Sequence, residues 1–146
     1  MENLEIVAFK IGEEEYGVEI NCVQSIERIQ PITRVPNAPA YVKGVINLRG
    51  NVTPIIDLRT KLALEQVDYT SNTRIIITKY EEIVLGLIVD QTSEVVDVPP
   101  EAIEIPSSSG FDSEYFAGIA KIDGRLIILL KLAELMKTAE CVFGHS

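Results

Sequence analysis

The side chains that could do covalent or acid–base chemistry are few and scattered. The one histidine, His145, is second from the C-terminus, and Cys22 and Cys141 stand far apart with no Cys-x-x-Cys spacing. A nucleophile needs a base within reach, and a metal site needs clustered ligands. Neither pattern occurs. Asp57, Asp90, Asp97 and Asp123 fall at turns and strand ends, where carboxylates cap backbone or face water. Gly44 to Gly50 is not followed by Lys-Ser/Thr, and its spacing fits neither a phosphate-binding loop nor a dinucleotide fingerprint. The sequence therefore predicts no catalytic residue, no metal and no cofactor. What is left is recognition chemistry. Arg49 stands beside a turn with a planar fork of five donors, suited to carboxylates or backbone carbonyls of a partner.

The element that positions Arg49 is the stretch Gly44 to Arg59, GVINLRGNVTPIIDLR. Ile46 and Leu48 alternate with Val45, Asn47 and Arg49, the period of a half-buried strand with Leu48 inward. Gly50-Asn51 suits a tight turn, and Val52 to Leu58 returns as the partner strand. Pro54 has no N–H to give a ladder, which predicts an edge or a bulge there. The pattern recurs as GIAKIDGRLIILLKL from Gly118 to Leu132. Gly44/Gly118, Gly50/Gly124 and Leu58/Leu132 keep a constant spacing of 74, as do Tyr41/Tyr115 upstream. The copies differ at two positions that matter. Asn47 and Arg49 become Lys121 and Asp123, so the role of Arg49 is not repeated.

Around these hairpins the chain reads as many short strands. Ile6 to Ile11 and Tyr16 to Ile20 alternate about a turn at Gly12 and the acids Glu13 to Glu15. Cys22 to Ile29 fits a helical turn or a bent strand, and Ile32 to Val35 a further short strand before Pro36 and Pro39. Asp57 is placed to cap a short helix through Leu64, and polar Glu65 to Asn72 links the copies. Thr73 to Tyr80 and Ile83 to Val89 repeat the entry hairpin, with Gly86 matching Gly17 at a spacing of 69. The second copy then gains a longer loop, Pro106 to Glu114. Leu132, Leu135 and Met136 make the stripe of a packing helix, and the tail beyond Thr138 has no pattern. The fold expected is all-β with few short helices. It is one domain over 1–146, with pseudo-repeats at 5–64 (first barrel) and 73–132 (second barrel) and a C-terminal helix and tail at 133–146. A unit of roughly 70 residues buries only ~60% of its unfolded surface, so the two copies are expected to pack together.

Apolar residues make up 47% and charged ones 24%, the balance of a chain that folds alone. A formal net charge of −9, with no basic cluster, argues against nucleic acid and anionic membrane, both of which bind through cationic surfaces. No stretch approaches the ~20 apolar residues that span a bilayer, and MENLEIVAFK lacks the basic-then-apolar order of a leader. A cytoplasmic protein with protein partners is expected. The start methionine and complete first strand favour a whole protein over a fragment.

GVINLRGNVTPIIDLR resembles the signature of the chemotaxis coupling family CheW, and the resemblance extends through EEEYGVEI, VQSIERIQPITRVPNAPAYVKG, GLIVDQTSEVVDV and GIAKIDGRLIIL. It implies two packed five-stranded SH3-like barrels and no enzymatic activity. It also implies a scaffold that bridges the cytoplasmic tips of chemoreceptors to the regulatory domain of the histidine kinase CheA. Carried over by motif, the partner-binding positions are Val23, Gly44 and Arg49, with Ile26 and Asn47 beside them. Ser25 departs from the family, which often has an acid there. The alternative within the fold is a CheW-like domain of a larger signalling protein, of the CheV type or the kinase's own regulatory domain. A small-molecule-binding barrel would need a deep pocket with convergent polar groups.

Overall fold

The computed structural model describes residues 3–105 and 115–143, the last six by their backbone alone. A hairpin of β1 (Leu4–Ile11) and β2 (Glu14–Glu19) leads through a 3-10 turn at Ile20–Cys22 into β3 (Val23–Arg28). The Cys22 to Ile29 segment is thus turn and strand in succession. The central hairpin is β4 (Val42–Leu48) with β5 (Asn51–Asp57), closed by the single-turn helix α1 (Leu58–Lys61). Asp57 Oδ1 accepts from Arg59 N at 2.9 Å and caps that turn. The second half repeats the order with β6 (Arg74–Tyr80), β7 (Ile83–Val89), β8 (Gln91–Val98), β9 (Ile103–Glu104), β10 (Phe116–Ile122), β11 (Arg125–Leu130) and α2 (Leu132–Phe143). Helix α2 therefore runs past Thr138, contrary to the patternless tail expected there, and Ala139, Val142 and Phe143 continue the spacing of Leu132, Leu135 and Met136. The loop expected at 106–114 lies outside the described residues.

The strands form two sheets, ordered β3-β6-β7-β5-β4 and β8-β1-β2-β11-β10-β9, each curled into a small SH3-like barrel. The sixth strand of the second barrel is the two-residue β9. Its counterpart in the first is a lone bridge from Thr33 to Val45, all that forms of the strand expected at Ile32 to Val35. Register is reproduced pair for pair. Ile55 faces Gly86 in one parallel contact and Leu129 faces Gly17 in the other, and the β4–β5 bulge at Val42/Gly44 returns at Phe116/Gly118.

The barrels do not follow the sequence repeats. The first is completed by β6 and β7 from 73–132 and the second by β1 and β2 from 5–64, so each repeat lends its entry hairpin to the other barrel. The cause is visible in burial. Ile6, Ala8, Ala120, Ile127 and Leu129 fill the second barrel, and Ile46, Ile55, Ile75, Ile77 and Ile88 fill the first. The opposite faces of the lent hairpins, with Val7, Phe9, Tyr16, Ile76, Leu85 and Leu87, form the seam, which α2 covers through Leu135 and Met136. A hairpin buried on both faces gains more from joining two cores than from one. Lys61 extends the seam. Its ammonium lies 3.7 Å from the centre of the Tyr41 ring and 4.9 Å from that of its repeat-mate Tyr115.

Pro54 is not at an edge, because β5 lies between β4 and β7. The parallel ladder to β7 begins one residue later, at Ile55, whereas the matching ladder in the second barrel includes Ile128, the counterpart of Pro54. A missing N–H is accommodated by starting the ladder after it.

Candidate partner-binding surface

Leu48 pairs with Asn51, so the turn between β4 and β5 is Arg49-Gly50 and not Gly50-Asn51. Both residues have positive φ, 53° and 86°, as a two-residue hairpin turn of the primed type requires. Arg49 therefore occupies the corner in a left-handed conformation that costs a residue with a Cβ about 1–2 kcal/mol. Asn47 supports the corner, its Oδ1 accepting from Gly50 N at 3.1 Å. The Arg49 side chain is 75% exposed, and its carboxylate neighbour is Glu27 at 3.8 Å. In the second barrel the same corner is Asp123-Gly124, at φ 50° and 79°. Aspartate takes that conformation far more readily than arginine.

Strand β3 pairs Ser25 with Ile77, Ile26 with Ile76 and Glu27 with Ile75. Ile75 and Ile77 fill the first barrel while Ile76 faces the seam. Ser25 and Glu27 thus lie on the barrel side of β3, and Ile26 lies on the outer side, 44% exposed. A bulge between Val23 and Ser25 returns Val23 to the outer side, where it packs half-buried against the seam. Val23 and Ile26 share one face, and Arg49 meets the strand through the other. Ser25 Oγ is buried with no hydrogen-bond partner among the described residues. The acid absent at Ser25 stands two residues along on the same face, as Glu27. That partner was missed in the sequence, although the spacing of two along a strand was the signal for it.

Gly44 has a backbone role. Its φ is +146°, and an added Cβ would come within 2.1 Å of the Thr33 carbonyl oxygen, which the bridge to Val45 holds in place. The counterpart Gly118 lacks the positive φ, and a Cβ there would meet Glu104 O at 3.0 Å.

Two ionic networks fix the frame, one of them centred on Arg59, the last residue of the Gly44 to Arg59 stretch. Arg59 donates from Nε to Asp90 Oδ1 at 3.1 Å, from Nη2 to Asp90 Oδ2 at 2.5 Å and from Nη1 to Glu65 O at 2.7 Å, while Gly12 N donates to Asp90 at 2.8 Å. Burial pushes the Asp90 carboxyl up, but Arg59 and the Gly12 N–H together hold it below the usual range. In the second barrel Arg125 forks onto Glu15 at 2.9 and 2.8 Å and reaches Glu94 at 2.8 Å. Its hydrogen bonds hold the Glu15 carboxyl below the usual range. The Cys22 thiol is pushed up by burial and then by Glu19, the opposite of an activated nucleophile. No helix among the described residues is long and apolar enough to cross a membrane.

The comparisons with known proteins agree with this architecture. The model of the CheW-like domain matches residues 5–140. The chain is 37% identical to "Chemotaxis protein CheW" of Klebsiella aerogenes over 93% of its length and 83% of that protein. It is 41% identical to "Probable chemotaxis protein CheW" of Rhizobium etli over 93% and 89%. Among solved structures, the scaffolding protein TtCheW of Thermoanaerobacter tengcongensis superposes with a TM-score of 0.83 at 36% identity, covering 90% of both chains. With the duplicated barrels and the Arg49 hairpin in place, these matches establish that the chain belongs to the CheW-like domain family.

Proposed function

We propose that this chain is a non-catalytic adaptor of chemotaxis signalling, which bridges methyl-accepting chemoreceptors to the histidine kinase CheA in the cytoplasm. One observation carries the proposal: an exposed arginine is held at a conformationally costly hairpin corner, in one barrel only. Strain kept at a surface corner points to a role in recognition. Arg49 would offer its fork to carboxylates or carbonyls at a receptor tip, with Asn47 fixing the turn and Gly44 the strand behind it. Val23 and Ile26 supply an apolar face on β3. The kinase's regulatory domain resembles this fold and is expected to pair barrel to barrel. Each barrel exposes a matched apolar pair for such a contact, Ile26 with Val52 (44% and 62% exposed) and Val95 with Leu126 (53% and 60%).

The test is an amide chemical-shift titration of the labelled chain with the kinase regulatory domain and then a receptor cytoplasmic tip. Two separate shifted patches, one of them including Val23, Ile26 and Arg49, are expected. If neither partner shifts any resonance, the adaptor role fails. Arg49→Ala should leave the melting temperature nearly unchanged, since alanine is equally disfavoured at that φ, while weakening receptor-dependent kinase activation. A large drop in melting temperature would make the residue structural.

A further inference from the structure

Away from the Arg49 corner, the first barrel carries a groove of about 560 Å3 lined by Ile29, Ile32, Arg34, Val42, Lys43 and Tyr69. In a chain of net charge −9 its two ionic side chains are both cations. No described carboxylate forms a salt bridge with Arg34 or Lys43, whereas Arg59, Arg125 and Lys121 each have one. The Lys43 ammonium lies over the face of Tyr69, 5.7 Å from its ring centre. Asp57 is 2% exposed and accepts from Arg59 N, and it does not line the groove. Asp68 lines the adjoining hollow with Lys43 without pairing to it.

The groove is not part of the duplicated plan. Through the matched bridges Thr33–Val45 and Glu104–Ile119, Arg34 corresponds to Ile105, and Lys43 corresponds to Ala117 at the spacing of 74. Tyr69 comes from the link between the repeats, a stretch whose place at the spacing of 74 is taken by the end of helix α2 in the second copy. The floor is apolar, since Ile29 and Ile32 pack by one side on the first barrel's filling. One inorganic anion would leave that floor and the Tyr69 ring uncovered. An acidic peptide with an aliphatic side chain between its carboxylates would cover both.

We propose that the groove between Arg34, Lys43 and Tyr69 is a docking site for an extended acidic segment of a protein partner, separate from the Val23–Arg49 surface. The carboxylates would meet Arg34 and Lys43, and the aliphatic side chain would lie on Ile29 and Ile32 beneath Tyr69.

The probe is an acetylated, amidated peptide EDLDE, titrated into the isotope-labelled full chain at low and physiological salt, with KKLKK and inorganic phosphate as parallel arms. Neither kinase nor receptor is used, so failure here leaves the adaptor proposal standing. Saturable shifts at residues 29–34, Lys43 and Tyr69 are expected with EDLDE alone, weaker at higher salt. Reversing both charges, Arg34→Glu with Lys43→Glu, should weaken binding about tenfold or more. Reversing a cation elsewhere, Lys79→Glu, should leave binding unchanged. The proposal is overturned by the absence of saturable shifts at about 5 mM EDLDE, or by equal shifts with KKLKK. Shifts spread over every surface cation would also overturn it. Phosphate reproducing the EDLDE pattern would make this a small-anion site instead.

Discussion

Where β2, β8 and β11 meet at one end of the second barrel, Arg125 is clamped between Glu15 and Glu94. At the same end of the first barrel the matching positions hold Asn51, Val84 and Ser25. The backbone register is shared down to the bulges, and the ions are not. A charged rim that satisfies itself has little to offer another molecule. The first barrel instead has a serine hydroxyl with no partner among the described residues and an arginine whose described carboxylate neighbour is at 3.8 Å. Duplication thus supplied two frames. One rim is closed by its own side chains, and the other keeps donors facing outward.

The comparison can be broken most severely in the filling. Leu48→Asp puts a charge against Ile46 and Ile55, and loss of cooperative folding by circular dichroism is expected; a normal melt would mean that the β4 faces are reversed. Next comes Gly44→Ala against Gly118→Ala. The first should cost about 2–4 kcal/mol in denaturant titration and the second clearly less, because only Gly44 combines positive φ with a 2.1 Å approach to backbone. Equal losses would show that the two bulges are equally tight.

The ionic rim should answer to pH. Glu15 has its carboxyl held below the ordinary value in the folded state, so its contribution is fully present above an unfolded value of about 4.3 and is lost as pH falls through the folded value. Asp90 acts in the same direction. Wild type should therefore lose more stability than Glu15→Gln on acidification below about pH 4.5. Both partners of the Glu15–Arg125 bridge are partly exposed, Arg125 at 32%, so solvent screening limits the difference to about 1 kcal/mol. Parallel acid profiles for the two proteins would remove the rim from the comparison. Smaller still is Arg49→Asn, expected to raise stability by up to about 1 kcal/mol by relieving the left-handed arginine, while weakening receptor binding. A fall in stability would mean that Arg49 contributes contacts larger than its strain. Last, Ser25→Ala should change stability by only a few tenths of a kcal/mol, upward if at all, because the hydroxyl it removes has no partner among the described residues.

The repeat was legible because Gly44/Gly118 and Gly50/Gly124 mark the same special backbone positions, and alternation about them marks strands. The partners of the strands were not. A period of two says which face a residue takes, but not which strand lies alongside. A hint existed in the unbroken apolar runs Ile6 to Phe9, Ile75 to Ile77 and Leu85 to Val89, which mark strands buried on both faces and hence shared between two cores. At the site, the neighbourhood of Arg49 was legible but its place in the turn was not, since Gly50-Asn51 is itself a pair that tolerates positive φ. The second copy carried the correction, for Asp123-Gly124 is a strong dipeptide for this turn and fixes the first copy at Arg49-Gly50. The helix beyond Thr138 was legible and was missed: Ala139, Val142 and Phe143 continue the spacing of Leu132, Leu135 and Met136.

The exchange of entry hairpins makes the polypeptide resemble a dimer written on one strand of message. Neither half of the sequence contains the strands of a complete barrel, so a cut in the link at 65–72 would release two pieces that each need the other. Two molecules of a single ancestral repeat could have satisfied the same need by trading hairpins with one another. Carrying both repeats on one chain makes such a concentration-dependent encounter an internal one. It also freed each copy to diverge, because a change at Arg49 no longer had to appear twice.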